Sequence, residues 1–133
     1  MNALSTGMAA PAAGRTPASA AAVLSKAVVR AARLLGCTQR DVAGVLGISE
    51  ATASRLFGGK YLLSADRAKE WELALLFVRV FRSLDALWGH EDTARQWLAS
   101  PNLALGGPPH ELLRSVEGLV RVVAYLDAAR GRL

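Results

Sequence analysis

Acidic residues are missing from the first forty positions: Arg15, Lys26, Arg30, Arg33 and Arg40 all precede the first carboxylate, Asp41. The formal net charge of +5 therefore belongs to that stretch, and from Asp41 onward the two signs balance. A basic lobe beside a neutral one points to a polyanion partner for the first part and a different partner for the second; a solvated basic face is the plainer alternative. Cysteine is nearly missing as well. The single Cys37 forbids an internal disulfide and reads as a small residue at a helix end, so a reducing, cytoplasmic compartment is the simplest expectation. No Cys/His group has metal-ligand spacing, and neither a metal nor a cofactor is expected. Long apolar runs are missing too: the most apolar, residues 73–78, is six long, against about 20 for a membrane-spanning helix.

Catalytic groupings are equally scarce. His90 stands beside Glu91 and Asp92, His110 follows two prolines, and neither has a nucleophile or metal partner nearby in the sequence; both are expected to be solvated. Gly106 and Gly107 follow no strand and lack the lysine and hydroxyl of a phosphate-binding loop. The chain is thus expected not to be an enzyme.

With 133 residues and 52% apolar content there is material for one buried core or two very small ones. Residues 1–18, rich in alanine, proline and serine, read as a disordered tail, with Arg15 and Pro17 breaking any signal-peptide core. From Ala20 to Leu35 the pattern is helical, with Leu24, Ala27, Val28, Ala31, Leu34 and Leu35 on one side and Lys26, Arg30 and Arg33 on the other.

The stretch TQRDVAGVLGISEATASRLFGGK, residues 38–60, then encodes two short helices. Thr38 and Asp41 form a capping box, so the first helix starts at Gln39 and ends at Gly47, where a left-handed cap costs glycine little. Ser49 caps the second, which Gly58 and Gly59 stop. Gln39, then small Ala43 four residues later, Gly47 in the turn, and inward Ala53 and Leu56 are the offsets of a helix-turn-helix, whose second helix enters the DNA major groove. A plain αα-hairpin satisfies the periodicity alone. Gly44 weakens the first helix by about 1 kcal/mol relative to alanine. On the DNA reading Gln39 and Thr52 meet phosphates, Ser49, Glu50, Ala51, Ser54 and Arg55 face base edges, and Arg40 is a further DNA contact.

After the linker 58–63, Ser64 is expected to cap a long helix to Trp88. Its core stripe is Trp71, Ala74, Leu75, Val78, Phe81 and Leu84, widened by Leu73, Leu76, Phe77, Val80, Leu87 and Trp88. So apolar a helix needs more than one covering neighbour; self-association into a homodimer is the natural supply, although one well-folded C-terminal domain could cover it alone. Gly89 closes it. A short helix follows over 91–100, then a loop over 101–108, a helical turn from Pro109, and a last helix capped by Ser115 with Leu119, Val120, Val122, Val123 and Leu126 inward.

The run S-E-A-T-x-S-R-L from Ser49 to Leu56 resembles the Xre/Cro repressors. Further on, W-L-x-S-x-N-x-A-L-G-G from Trp97 to Gly107, followed by Pro108 and Pro109, then E-L-L-R-S-x-E-G from Glu111 to Gly118, resembles the toxin-binding domain of the MbcA/ParS/Xre antitoxins. The resemblance covers roughly residues 24–133. It implies an all-α protein: a helix-turn-helix bundle over 19–63 and a small helical toxin-binding domain over 64–133. It further implies an antitoxin of a type II toxin-antitoxin system that binds operator DNA, represses its own operon, and blocks a RES-domain toxin acting on NAD. A helix-turn-helix regulator whose C-terminal part dimerises or senses a ligand is the alternative. Asn102, Leu103, Leu105, Gly107, Arg130 and Arg132 are the expected toxin contacts, the arginines as donor forks for a site built around phosphates. A fragment of residues 64–133 is expected to bind the toxin by itself, and the stop at Leu133 is expected to leave little tail for deep insertion.

Overall fold

The computed structural model describes residues 16–89 and 91–131, and among these every regular element is helical. In chain order they are α1 (Pro17–Leu35), α2 (Gln39–Leu46), α3 (Glu50–Phe57), α4 (Ala68–Trp88), α5 (Glu91–Ala99), α6 (Pro109–Leu112) and α7 (Val116–Gly131). The protein is all-α, a helix-turn-helix followed by a helical C-terminal part.

Local chemistry explains most boundaries. The Thr38 hydroxyl accepts from the Asp41 N–H at 3.0 Å while the Asp41 carboxylate accepts from the Thr38 N–H at 2.8 Å, so the capping box is complete. Gly47 then leaves α2 at φ 71, where a Cβ would strain the backbone. Ser49 caps α3 by accepting the Thr52 N–H at 3.0 Å. At the other end of the chain the Ser115 hydroxyl accepts the Gly118 N–H at 3.0 Å and starts α7.

Three boundaries or faces differ from expectation. Helix α1 begins at Pro17 rather than Ala20, because the Thr16 hydroxyl caps it and proline suits the first turn; residues 17 and 18 thus belong to the helix, and the rest of the expected tail, 1–15, lies outside the described residues. Ser64 does not cap α4. Its hydroxyl accepts the Asp66 N–H and its carbonyl the Arg67 N–H, which makes a turn, and α4 starts only at Ala68. Leu75 and Val120, expected inward, are 49% and 47% exposed; both sit on margins of very wide apolar faces, where periodicity does not say which flank is covered.

One continuous core draws on both halves of the chain. Val28, Ala31 and Ala32 of α1, Val42 and Leu46 of α2, Phe77, Val80 and Leu84 of α4, and Leu119, Val122 and Leu126 of α7 are buried together. Helix α4 is its axis, packed by α1, α2, α5 and α7. Helices α4 and α7 run parallel: Lys69 and Leu73 share a cleft with Ser115 and Val116, Arg79 grips Asp127 through two hydrogen bonds, and Arg130 reaches Ser83. The linker is tied down by the buried Ser25 hydroxyl, which accepts the Leu63 N–H at 2.9 Å. At Gly44 the C-terminal half comes close: a Cβ there would lie 2.7 Å from the Arg114 Nε, so the flexible Arg114 side chain would have to shift.

Candidate nucleic-acid and partner interfaces

Helix α3 packs its buried Ala53 and Leu56 inward, which turns Ser49, Glu50, Ala51, Ser54 and Arg55 to solvent on one face. Every residue expected to face base edges is therefore exposed and adjacent. Thr52 is half-buried and central: its hydroxyl meets that of Ser49 at 2.9 Å and accepts from Arg55 Nη2 at 3.2 Å. Arg55 is thus held along the helix by one bond that a stronger acceptor can replace. Gln39 and Arg40 project from the start of α2, with Arg40 Nε 3.9 Å from Glu50 Oε2. Both of those side chains are about 70% exposed, so this pair contributes little and leaves them free to rearrange. The basic stripe of α1 joins this region through Arg33, whose guanidinium lies 5.7 Å from the Phe57 ring centre.

The second candidate surface is the loop between α5 and α6. Asn102 builds it: its side-chain oxygen accepts the Leu105 N–H at 3.1 Å, its carbonyl accepts from Leu105, Gly106 and Gly107, and its N–H donates to the Gly107 carbonyl. Gly106 permits the turn at φ 83. Leu105 is buried, and its carbonyl accepts from Arg121 at 2.9 Å. Its side chain therefore anchors the loop and is not available to a partner, unlike the expectation for it. Leu103 is the opposite case, fully exposed at the loop tip.

Arg130 is not brought to this loop. It lies nine residues beyond Arg121 on α7, about 13 Å along the helix, where Nη1 donates to the buried Ser83 hydroxyl at 3.2 Å. There it borders a groove of about 950 Å³ between α1 and α4, floored by Val23, Trp71, Leu75 and Val78. Arg132 lies outside the described residues. Trp88, Trp97 and Tyr125 follow one another with ring centroids 5.9 Å apart at each step, the first pair tilted and the second stacked, tying the end of α4 to α5 and α7.

One grouping escapes sequence spacing altogether. His110 is not free in solvent: Nε2 lies 3.3 Å from Asp41 Oδ2, and Cys37 completes a cluster whose donor atoms are all within 4.8 Å of one another. Sixty-nine residues separate Asp41 from His110, so only the tertiary fold brings them together. His90 lies outside the described residues. Burial pushes the Asp41 carboxyl up, but the hydrogen bonds from Thr38 and the charge and hydrogen bond of His110 outweigh it and hold the group below its ordinary value. A carboxylate with a lowered folded-state pKa adds stability that is present above its unfolded value, about 3.9, and is lost as pH falls through the lowered one. His110→Ala removes one of the lowering contacts. The acid limb of thermal stability should then move to higher pH, as read from melting temperatures between pH 2 and 6; an unmoved limb means the pair contributes nothing. The Cys37 thiol is pushed up to about 12 by burial and then by Asp41, which makes it a poor nucleophile at neutral pH.

No helix of the described residues is long and apolar enough to cross a membrane. No curated protein matches the chain. Two family models do: an antitoxin Xre-like helix-turn-helix domain over residues 15–79 and an antitoxin Xre/MbcA/ParS C-terminal toxin-binding domain over 83–132. Neither is an enzymatic domain. Both come from one family and meet almost end to end, leaving only 1–14, 80–82 and 133 unmatched. With the helix-turn-helix formed and the loop and α7 in place behind it, the chain belongs to the Xre/MbcA/ParS antitoxins of toxin-antitoxin systems, which pair a DNA-binding module with a toxin-binding one.

Proposed function

We propose that this antitoxin neutralises a RES-domain toxin acting on NAD by direct binding, and that it represses its own operon by binding operator DNA through α3. The observation that carries the toxin half is the braced loop with Leu103 presented in full, within the residues matched by the toxin-binding model. Residues 19–63 are the DNA-reading part and 64–133 the toxin-binding part. Asn102 and Leu105 act by holding the loop, Leu103 and Gly107 by touching the toxin. Arg130 forms a separate, more distant contact, and Arg132 remains a proposed contact from the sequence alone.

The division is one of surface and not of folding units. Helices α1 and α2 cover α4, so an excised 64–133 loses the packing on one side of its longest helix. Neutralisation is therefore tested in the full chain. Leu103→Asp should abolish toxin binding while leaving the melting temperature unchanged, because the side chain it replaces touches nothing buried. Binding at wild-type affinity would remove the loop from the interface.

The groove between α1 and α4 supports a homodimer. Val23 is 64% and Leu75 49% exposed along it, an apolar strip that a second copy can cover, and reading two half-sites about one helical turn apart requires such symmetry. Light scattering at micromolar concentration should give twice the chain mass, and Leu75→Lys should give the single-chain mass. A wild-type monomer contradicts this.

A further inference from the structure

We propose that Cys37, Asp41 and His110 form a three-ligand site for a divalent transition metal of the zinc class, clamping the corner between α1 and α2 to α6. This goes beyond toxin and DNA binding and stands or falls separately from them.

The donor set is a thiol, a carboxylate and an imidazole, the mixture that zinc accepts. A tetrahedral zinc holds nitrogen and oxygen donors at about 2.0–2.1 Å and sulfur at about 2.3 Å, so nitrogen and oxygen sit about 3.3 Å apart and sulfur about 3.5 Å from each. His110 Nε2 and Asp41 Oδ2 are 3.3 Å apart, and Cys37 Sγ completes the set inside 4.8 Å. Closing the site asks the sulfur to move by on the order of one ångström. The carboxylate is already oriented, because the Thr38 N–H donates to Asp41 Oδ2 at 2.8 Å, the kind of outer contact that fixes a metal ligand.

Access exists as well. A cleft of about 370 Å³, lined by Leu35, Gly36, Leu98, Pro108, His110 and Glu111, leads to the imidazole from solvent. Arg95 also lines it, but its guanidinium is turned to the Leu34 and Arg33 carbonyls. Water from this cleft supplies the fourth ligand. On binding, the Cys37 proton and the Nε2 proton that His110 directs at Asp41 leave to solvent, the imidazole stays neutral with its proton on Nδ1, and the thiolate and carboxylate together neutralise the dication. The three ligands come from the end of α1, the cap of the first helix-turn-helix helix, and α6 just beyond the exposed loop. A bound metal therefore ties the DNA-reading part to the loop that precedes α6.

The test uses the metal-free, reduced full chain titrated anaerobically with Co²⁺ as the probe. One equivalent should produce thiolate-to-cobalt charge-transfer absorption with the strong visible bands of a tetrahedral site, and Zn²⁺ should displace it. Cys37→Ser should remove the charge-transfer absorption, and His110→Asn should weaken Co²⁺ binding at least tenfold. In the wild-type chain one equivalent of Zn²⁺ should also raise the melting temperature, since a ligand held only by the folded state stabilises it. Absence of thiolate absorption in the wild type overturns the proposal, as does equal affinity in a folded His110→Asn. Should either variant fail to fold, the wild-type absorption, its stoichiometry and the Zn²⁺-induced rise in melting temperature decide.

Discussion

Gly118→Ala should lower the melting temperature of the chain by about 10 °C or more, the largest single-methyl effect expected anywhere in this fold. A Cβ at Gly118 falls 2.1 Å from the Leu112 carbonyl oxygen, 2.9 Å from its carbon and 2.9 Å from the Ser115 hydroxyl. The first two are backbone atoms, so no side-chain rotation relieves the overlap. Helix α6 and the first turn of α7 must separate, and the Ser115 cap that starts α7 breaks with them. Overpacking against backbone costs about 3 kcal/mol or more, and in a domain of this size each kcal/mol moves the midpoint by about 3–5 °C. Gly107→Ala is the matched control, since a Cβ there meets nothing within 4 Å and should shift stability by under about 0.5 kcal/mol. Equal melting temperatures for the two variants would mean that α6 and α7 are not packed as described.

Arg55→Ala should weaken operator binding by about 1–3 kcal/mol if the guanidinium pairs with a base edge, roughly a five- to 150-fold loss. Among the described residues Arg55 is held through Thr52 alone, so little is given up when it turns to DNA. Glu50→Ala should add to the loss if its carboxylate accepts from a base edge. Binding should also fall steeply with salt, each neutralised phosphate contributing a slope of about −0.9. Arg40→Ala should flatten that slope by about one without changing sequence preference. A gel shift on the upstream DNA reads all three. Operator affinity unchanged in the Arg55→Ala, Glu50→Ala double variant takes α3 out of the groove.

What the sequence made legible follows the range of the forces involved. The Thr38–Asp41 box, the Gly47 turn and the Ser49 cap are closed within four residues, and each stands in the structure where the sequence places it. The same local reasoning misleads at Ser64, whose hydroxyl has a nearer donor in Asp66 and makes a turn before the helix. Periodicity finds α4 and α7 but not which flank of a nearly all-apolar helix remains open, hence Leu75 and Val120. Leu105 looked like a contact because it stands in a distinctive loop; burial decides otherwise, and burial there depends on α7 arriving underneath, with Arg121 on its carbonyl. The meeting of Cys37 and Asp41 with His110 is beyond any local rule, as His110 lies sixty-nine residues after Asp41 in the sequence. A faint signal existed in Gly44: a helix-weakening glycine in mid-helix marks close approach, and Arg114 is what approaches.

The proposed direct neutralisation of a RES-domain toxin is tested most directly by mixing the purified full chain with a RES-domain toxin from the same genome and following NAD consumption. The account predicts a stable complex on gel filtration and loss of NAD consumption at stoichiometric antitoxin, with activity restored when Leu103→Asp replaces the wild type. Undiminished NAD consumption in the presence of excess folded wild-type chain would contradict it.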